Sequence, residues 1–251
     1  MKPFLVRGAL AGLAGGLALV LALLLLGEPS IRDAIAIEEA SADPAVAAEE
    51  PLFTRPEQVV GGALGAAAYG VLAGLVFGVV YAAGGHRLRA RGPFGASVRL
   101  GGLAFGAAFL VPYLKYPPNP PAVGDPDTVV QRTVAYLVMI AISVVVTVVA
   151  VRLHGAWRSR GWPEHLAGPA AVALFVVVVG LAFALMPGNP DPIEVPATLI
   201  WRFRLASLGG QVTFWAVVGV VHGWLALRDA GVAVFSVDRS ATMSEASNVT
   251  A

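Results

Sequence analysis

Two stretches of this chain repeat one polar pattern at an offset of 70 residues. Pro117-Pro118-Asn119-Pro120 is followed by Pro126, Thr128 and Arg132, and Pro187-Gly188-Asn189-Pro190 by Pro196, Thr198 and Arg202. The shared form is P-x-N-P-x5-P-x-T-aliphatic-aliphatic-x-R. Proline lacks an N–H and fixes φ, so each stretch reads as a stiff turn that presents free carbonyl oxygens. Asn119 and Asn189 add amides, and Asp125 and Asp127 add carboxylates to the first copy. Three further carboxylates, Glu28, Glu38 and Glu39, follow the first apolar run, and His222 places an imidazole in the last. Carbonyl, amide, carboxylate and imidazole are ligands of divalent metal ions, so these eight residues are the candidates to line an ion path or touch a metal.

The neighbouring arginines do different work. A guanidinium donates and cannot accept, so Arg132, Arg202 and Arg204 are poor metal ligands and are read as charge-pairing residues that hold loops. An ionisable residue one turn inside an apolar helix is a functional candidate, although it can also snorkel to the interface. Arg204 lies about 200° around a helix from Arg202, so at least one of them should point inward. Pro117, Pro120, Pro126, Thr128 and Thr198 shape the turns. Asp127 directly precedes an apolar run and is read as a helix N-cap, a role that Thr128 and Thr198 can share. Other readings stay open: His222 as a packing residue, Gln211 as a bond to a neighbouring helix, and the acids as a solvated loop.

Catalytic chemistry finds no foothold. Cysteine is absent, which removes disulfides, thiol nucleophiles and Cys-based metal sites. The methionines Met1, Met139, Met186 and Met243 are scattered. No H-E-x-x-H, G-x-S-x-G, Walker A or strand-linked G-x-G-x-x-G occurs, and no two histidines are four apart. The chain is therefore read as a non-enzyme without a permanently bound cofactor.

The elements that must position these residues are membrane helices. Hydrophobic residues make up 57% and charged residues 13%, with a mean hydropathy of +0.75. A soluble surface cannot be covered with so few charges, given the usual charged share of about 25%. The net charge of +1 offers no field for nucleic acid. Six runs approach the ~20 apolar residues needed to cross a bilayer: 4–26, 59–82, 98–114, 128–151, 166–186 and 198–227. The third is shortest and the sixth most polar, so five spans are the alternative. The first run is longer than the roughly 7–15 residues of a signal-peptide core and is read as a span.

Arg87, Arg89 and Arg91 lie between the second and third runs with Arg99 at the start of the third, Arg152, Arg158 and Arg160 lie between the fourth and fifth, and Lys2 and Arg7 lie at the start of the first. The positive-inside rule puts those segments, and both termini, in the cytoplasm. Residues 229–251 are polar and read as a disordered cytoplasmic tail. Gly8, Gly12 and Gly16 in the first run and Gly70, Gly74 and Gly78 in the second recur every four residues, which lets backbones approach within a bundle. The 70-residue offset implies a parallel internal repeat of helical hairpins.

Leu26-Gly27-Glu28-Pro29 with Glu38-Glu39-Ala40, Lys115-Tyr116-Pro117-Pro118-Asn119-Pro120-Pro121, Val123-Gly124-Asp125-Pro126-Asp127-Thr128, Arg132-Thr133 with Tyr136, and Trp201 through Leu208 resemble the CbtA family. The likeness covers the chain to about Leu227; the proline run is its specific part. It implies a bacterial plasma-membrane subunit that moves cobalt for cobalamin synthesis, partnered by a small one-helix, histidine-rich CbtB-type protein. A homo-oligomer, a scaffold or assembly subunit that does not transport, and a carrier of another small solute are the alternatives. The family is described with five spans, against six counted here.

Overall fold

The computed structural model describes residues 1–41, 52–84, 92–121, 123–189, 191 and 195–249. Among these residues there are helices and no strands. Six helices are long and apolar enough to cross a membrane: α1 (Lys2–Ala40), α2 (Arg55–Ala83), α3 (Pro93–Lys115), α4 (Pro126–Ser159), α5 (Glu164–Leu185) and α6 (Ala197–Asp229). The six-span count therefore stands over five. The third run, short in its apolar core, gains length from Pro93–Ser97 and reaches 23 residues. Large apolar side chains such as Leu17, Leu72, Val145 and Leu181 lie on the surface, where lipid would meet them. Pro190 and the basic residues Arg87, Arg89 and Arg91 lie outside the described residues.

Local chemistry sets the helix ends. Thr54 and Glu57 form half of a capping box, the Thr54 N–H and Oγ1 both donating to Glu57 Oε2 at 2.8 Å. Gly161, at φ 88°, turns the chain between α4 and α5. Two helices widen where a proline follows. Pro29 and Pro112 cannot donate to the carbonyl four residues back, and π-helical segments at Leu23–Gly27 and Gly106–Leu110 precede them. α1 then continues without a break through residue 41, so the acidic stretch around Glu38 extends the first span rather than forming a separate interfacial helix.

The final helix runs in backbone to Val249, although only the part up to Asp229 is apolar enough to span. No proline interrupts residues 229–249, so nothing local ends the helix. Disorder of that tail stays an expectation from composition.

The chain forms two compact units: Met1–Ala18, Val59–Gly102 and Phe214–Ala251 in one, Leu19–Gln58 and Leu103–Thr213 in the other. In the first unit the glycine periodicity becomes backbone-on-backbone packing of α1 against α2. A Cβ at Gly12 would lie 2.0 Å from the Gly70 carbonyl oxygen, and one at Gly74 would lie 2.1 Å from that of Gly8. Both glycine stripes thus serve packing within the chain. On α6, Phe214 and Val218 fill the space over Gly15, and Gly219 meets Gly101 of α3.

The obstructing atoms at Gly12 and Gly74 are backbone and cannot rotate away. Gly12→Ala and Gly74→Ala should each destabilise by about 1–3 kcal/mol. Gly61→Ala and Gly62→Ala, where no atom lies within 4 Å, should be neutral. Thermal unfolding in detergent would read the difference.

Candidate functional site

Both proline loops belong to the second unit and are tied to each other by polar side chains. The first runs from the end of α3 to α4, the second from α5 to α6. Arg204 of α6 reaches the first loop, donating Nε to the Pro118 carbonyl at 3.3 Å and Nη2 to Asn119 Oδ1 at 3.0 Å. Residues of α4 reach the second. Thr128 Oγ1 donates to Asp191 Oδ1 at 2.7 Å, and Arg132 Nη1 lies 3.0 Å from Asp191 Oδ2. Between them, Tyr116 Oη donates to the Pro187 carbonyl at 2.7 Å and Lys115 Nζ to the Phe183 carbonyl at 2.8 Å. Burial pushes the Tyr116 phenol above its ordinary pKa, which keeps it a donor. Free proline-loop carbonyls and guanidinium donors thus satisfy one another.

A cavity of about 580 Å³ opens under these loops, lined in part by Asn119, Arg132, Tyr136, Asn189, Asp191 and Arg204. Asp191 is the deepest charge there, its side chain 1% exposed against 28% for Arg132. Gly124 makes room for the pair. It sits at φ 111°, and a Cβ on it would fall 2.5 Å from both Arg132 Nη1 and Asp191 Oδ2. Glycine is therefore required there for conformation and for space.

The candidate residues fall into groups. Asn119 and Asn189 line the cavity, whereas Asp125 and Asp127 do not. Asp125 is the cap of the turn Pro126–Thr128, accepting from the Asp127 N–H at 2.9 Å. Capping thus falls to Asp125 rather than Asp127, because Pro126 between them has no N–H and fits the first helical position. Thr128 Oγ1 does not cap: its single proton is within reach of both the Asp125 carbonyl and Asp191 Oδ1. Thr198 is exposed, and the packing of Pro117 and Pro120 puts both on the cavity wall.

Glu28, Glu38 and Glu39 do not line the cavity. Glu28 is buried and held by Arg55 Nη2 at 2.6 Å and Arg32 Nε at 3.1 Å. Arg202 is exposed and paired with Asp33, while Arg204 alone of the two points into the cavity. Among the described residues Arg204 is bonded to neutral oxygens and not to an acid. His222 belongs to the first unit. It is fully buried against the rings of Phe77 and Tyr81, with Nδ1 2.9 Å from Ser97 Oγ. Among the described residues no three His, Asp or Glu side chains gather as a metal-holding group.

Sequence reasoning passed over Asp191, Lys115 and Tyr116. Asp191 stands opposite Pro121 in the repeat, so alignment of the two copies hid it; an acid between Pro190 and Pro192 was the available signal. The two loops share a motif but not contacts. Asn119 accepts from Arg204 in the other hairpin, while Asn189 Oδ1 accepts the Asp191 N–H at 3.3 Å.

Asp191→Ala should strand Arg132 and cost on the order of 3 kcal/mol. Arg132→Met combined with Asp191→Leu should cost less than the sum of the single changes, because neither charge is left behind. Denaturant unfolding of the four proteins in a double-mutant cycle would give the coupling.

No curated protein and no solved structure matches the chain. The family described as "Probable cobalt transporter subunit (CbtA)" matches residues 1–227. With a match over nearly the whole membrane bundle, including both proline loops, the chain belongs to the CbtA family of probable cobalt transporter subunits.

Proposed function

We propose that this chain forms the membrane path of the transporter, with the cavity under the proline loops as its outer entrance. That cavity carries the proposal: about 580 Å³, with Asn119, Asn189 and Asp191 set among mostly apolar lining residues. Its few polar groups suit a metal ion that arrives within a shell of its own ligands, handled by weak contacts that can be made and released. Arg132, Arg202 and Arg204 hold the entrance in shape through Asp191, Asp33 and Asn119.

In this reading the protein sits in a bacterial cytoplasmic membrane with its N-terminus inside, as the arginine-rich segments favour. Cobalt is the cargo, delivered toward cobalamin synthesis, and a small histidine-rich CbtB-type subunit captures the ion before it enters. Imidazole is a good cobalt ligand, and a single-helix partner can carry several on a polar end. Glu38 and Glu39, exposed near the end of α1, are placed to raise the local cation concentration. Glu28 serves instead as an anchor for Arg55.

Cells that depend on this chain and its partner for trace cobalt should accumulate radiocobalt several-fold more slowly when Asn119→Ala or Asp191→Asn is introduced, with membrane levels of the protein held equal. Unchanged accumulation in both variants would favour a scaffold that carries no ion. Accumulation of another solute that falls in parallel would name a different cargo.

A further inference from the structure

We infer that the cavity under the proline loops receives its metal as an anionic, carboxylate-bearing chelate rather than as the aqua cation. The inference rests on the transport reading above and adds the chemical form of the cargo. It starts from charge. Among the described residues the lining holds two guanidiniums, Arg132 and Arg204, and one carboxylate, Asp191. Asp191 is spent on Arg132 at 3.0 Å. Arg204 is left with the Pro118 carbonyl and the Asn119 amide oxygen, so among the described residues its charge faces no acid. A second cation stands behind the wall. Lys115 donates to the Phe183 carbonyl and lies 5.6 Å from the ring centre of Tyr116, which lines the cavity.

A bare divalent cation entering this space meets net positive charge within a half-buried wall, where repulsion is weakly screened. An anion meets the reverse. Two of the five N–H groups of Arg204 are occupied, and the rest form part of a planar fork that fits a carboxylate. Tyr136 lies one helical turn from Arg132 on α4, lines the same cavity, and its hydroxyl bonds to no other described residue. The amide N–H₂ groups of Asn119 and Asn189 supply further donors on the wall. Among the described polar groups of the lining, donors and positive charge therefore prevail, in a space whose volume falls in the range of about 300–1,000 Å³ typical of small-molecule sites. Divalent cobalt accepts carboxylate oxygens readily. A divalent ion wrapped by a tricarboxylate carries one net negative charge, matching the single positive charge of Arg204. No bond is made or broken at this step; the chelate enters whole.

The test is equilibrium binding to the full chain in lipid nanodiscs, with radiolabelled citrate alone, the preformed cobalt–citrate complex, cobalt chloride alone, and inorganic phosphate as competitor. Citrate and its cobalt complex should compete for one site and bind at least tenfold more tightly than the aqua ion. Arg204→Gln should weaken both at least tenfold and leave cobalt chloride binding within twofold. Arg204→Lys should recover part of the loss, and Tyr136→Phe, which disturbs no bond of the fold, should weaken citrate several-fold. Tighter binding of the aqua ion than of citrate would overturn the proposal, as would equal displacement by phosphate or an Arg204→Gln variant with wild-type citrate affinity. Radiocobalt uptake from citrate-free and citrate-containing medium keeps the two readings apart. Uptake insensitive to Asn119→Ala in both media sinks the path, whereas sensitive uptake that is fastest without citrate sinks only the chelate.

Discussion

Lipid offers neither hydrogen-bond donors nor acceptors, so every polar group at membrane depth must find its partner in the chain. That constraint organises the proline loops. Proline removes N–H groups and leaves carbonyls with nothing local to accept from. Arginine set inside a helix brings donors that have nothing local to donate to. In this protein the two deficits cancel across elements: Arg204 from α6 meets the Pro118 carbonyl and Lys115 from α3 meets that of Phe183. A non-regular segment can persist next to a membrane helix because charged donors from other helices complete it.

The same constraint explains what could be read from the residues. Apolar runs of span length yielded the six helices, since only a helix satisfies its own backbone in lipid. Glycine at four-residue spacing marked the α1–α2 contact, since there is one way for two backbones to come so close. The arginines were recognisable because a charge among aliphatic residues always needs an explanation. Their partners were not. Asp33, Asp191 and the Asn119 amide lie 169, 59 and 85 positions away in sequence from Arg202, Arg132 and Arg204, and pairing over such distances is a property of the tertiary fold. Glu28 was read as an ion-path candidate, with a solvated acid as the alternative, because its partner Arg55 lies beyond a long acidic loop.

His222 shows a further limit. Its type and depth left ligand and packing residue both open, and its setting is two aromatic rings and a serine hydroxyl. One imidazole in an aromatic pocket is a packing solution that uses both the ring surface and one nitrogen. The π-helical turns were likewise invisible in the periodicity, but not in the chemistry. Each comes just before a proline that could not continue the ordinary ladder.

The interlocked loops also bear on how the molecule is made. A ribosome delivers α3 and α4 before α5 and α6, and domains build from the N-terminal end first. When the first hairpin has entered the membrane, Arg132 has no Asp191 and the Pro118 carbonyl has no Arg204. Those groups must rest on water, headgroups or the insertion machinery until the last helix arrives. The final span is thus a keystone in time as well as in space: a chain truncated before residue 204 would keep most of its helices and lose the closure of its first loop.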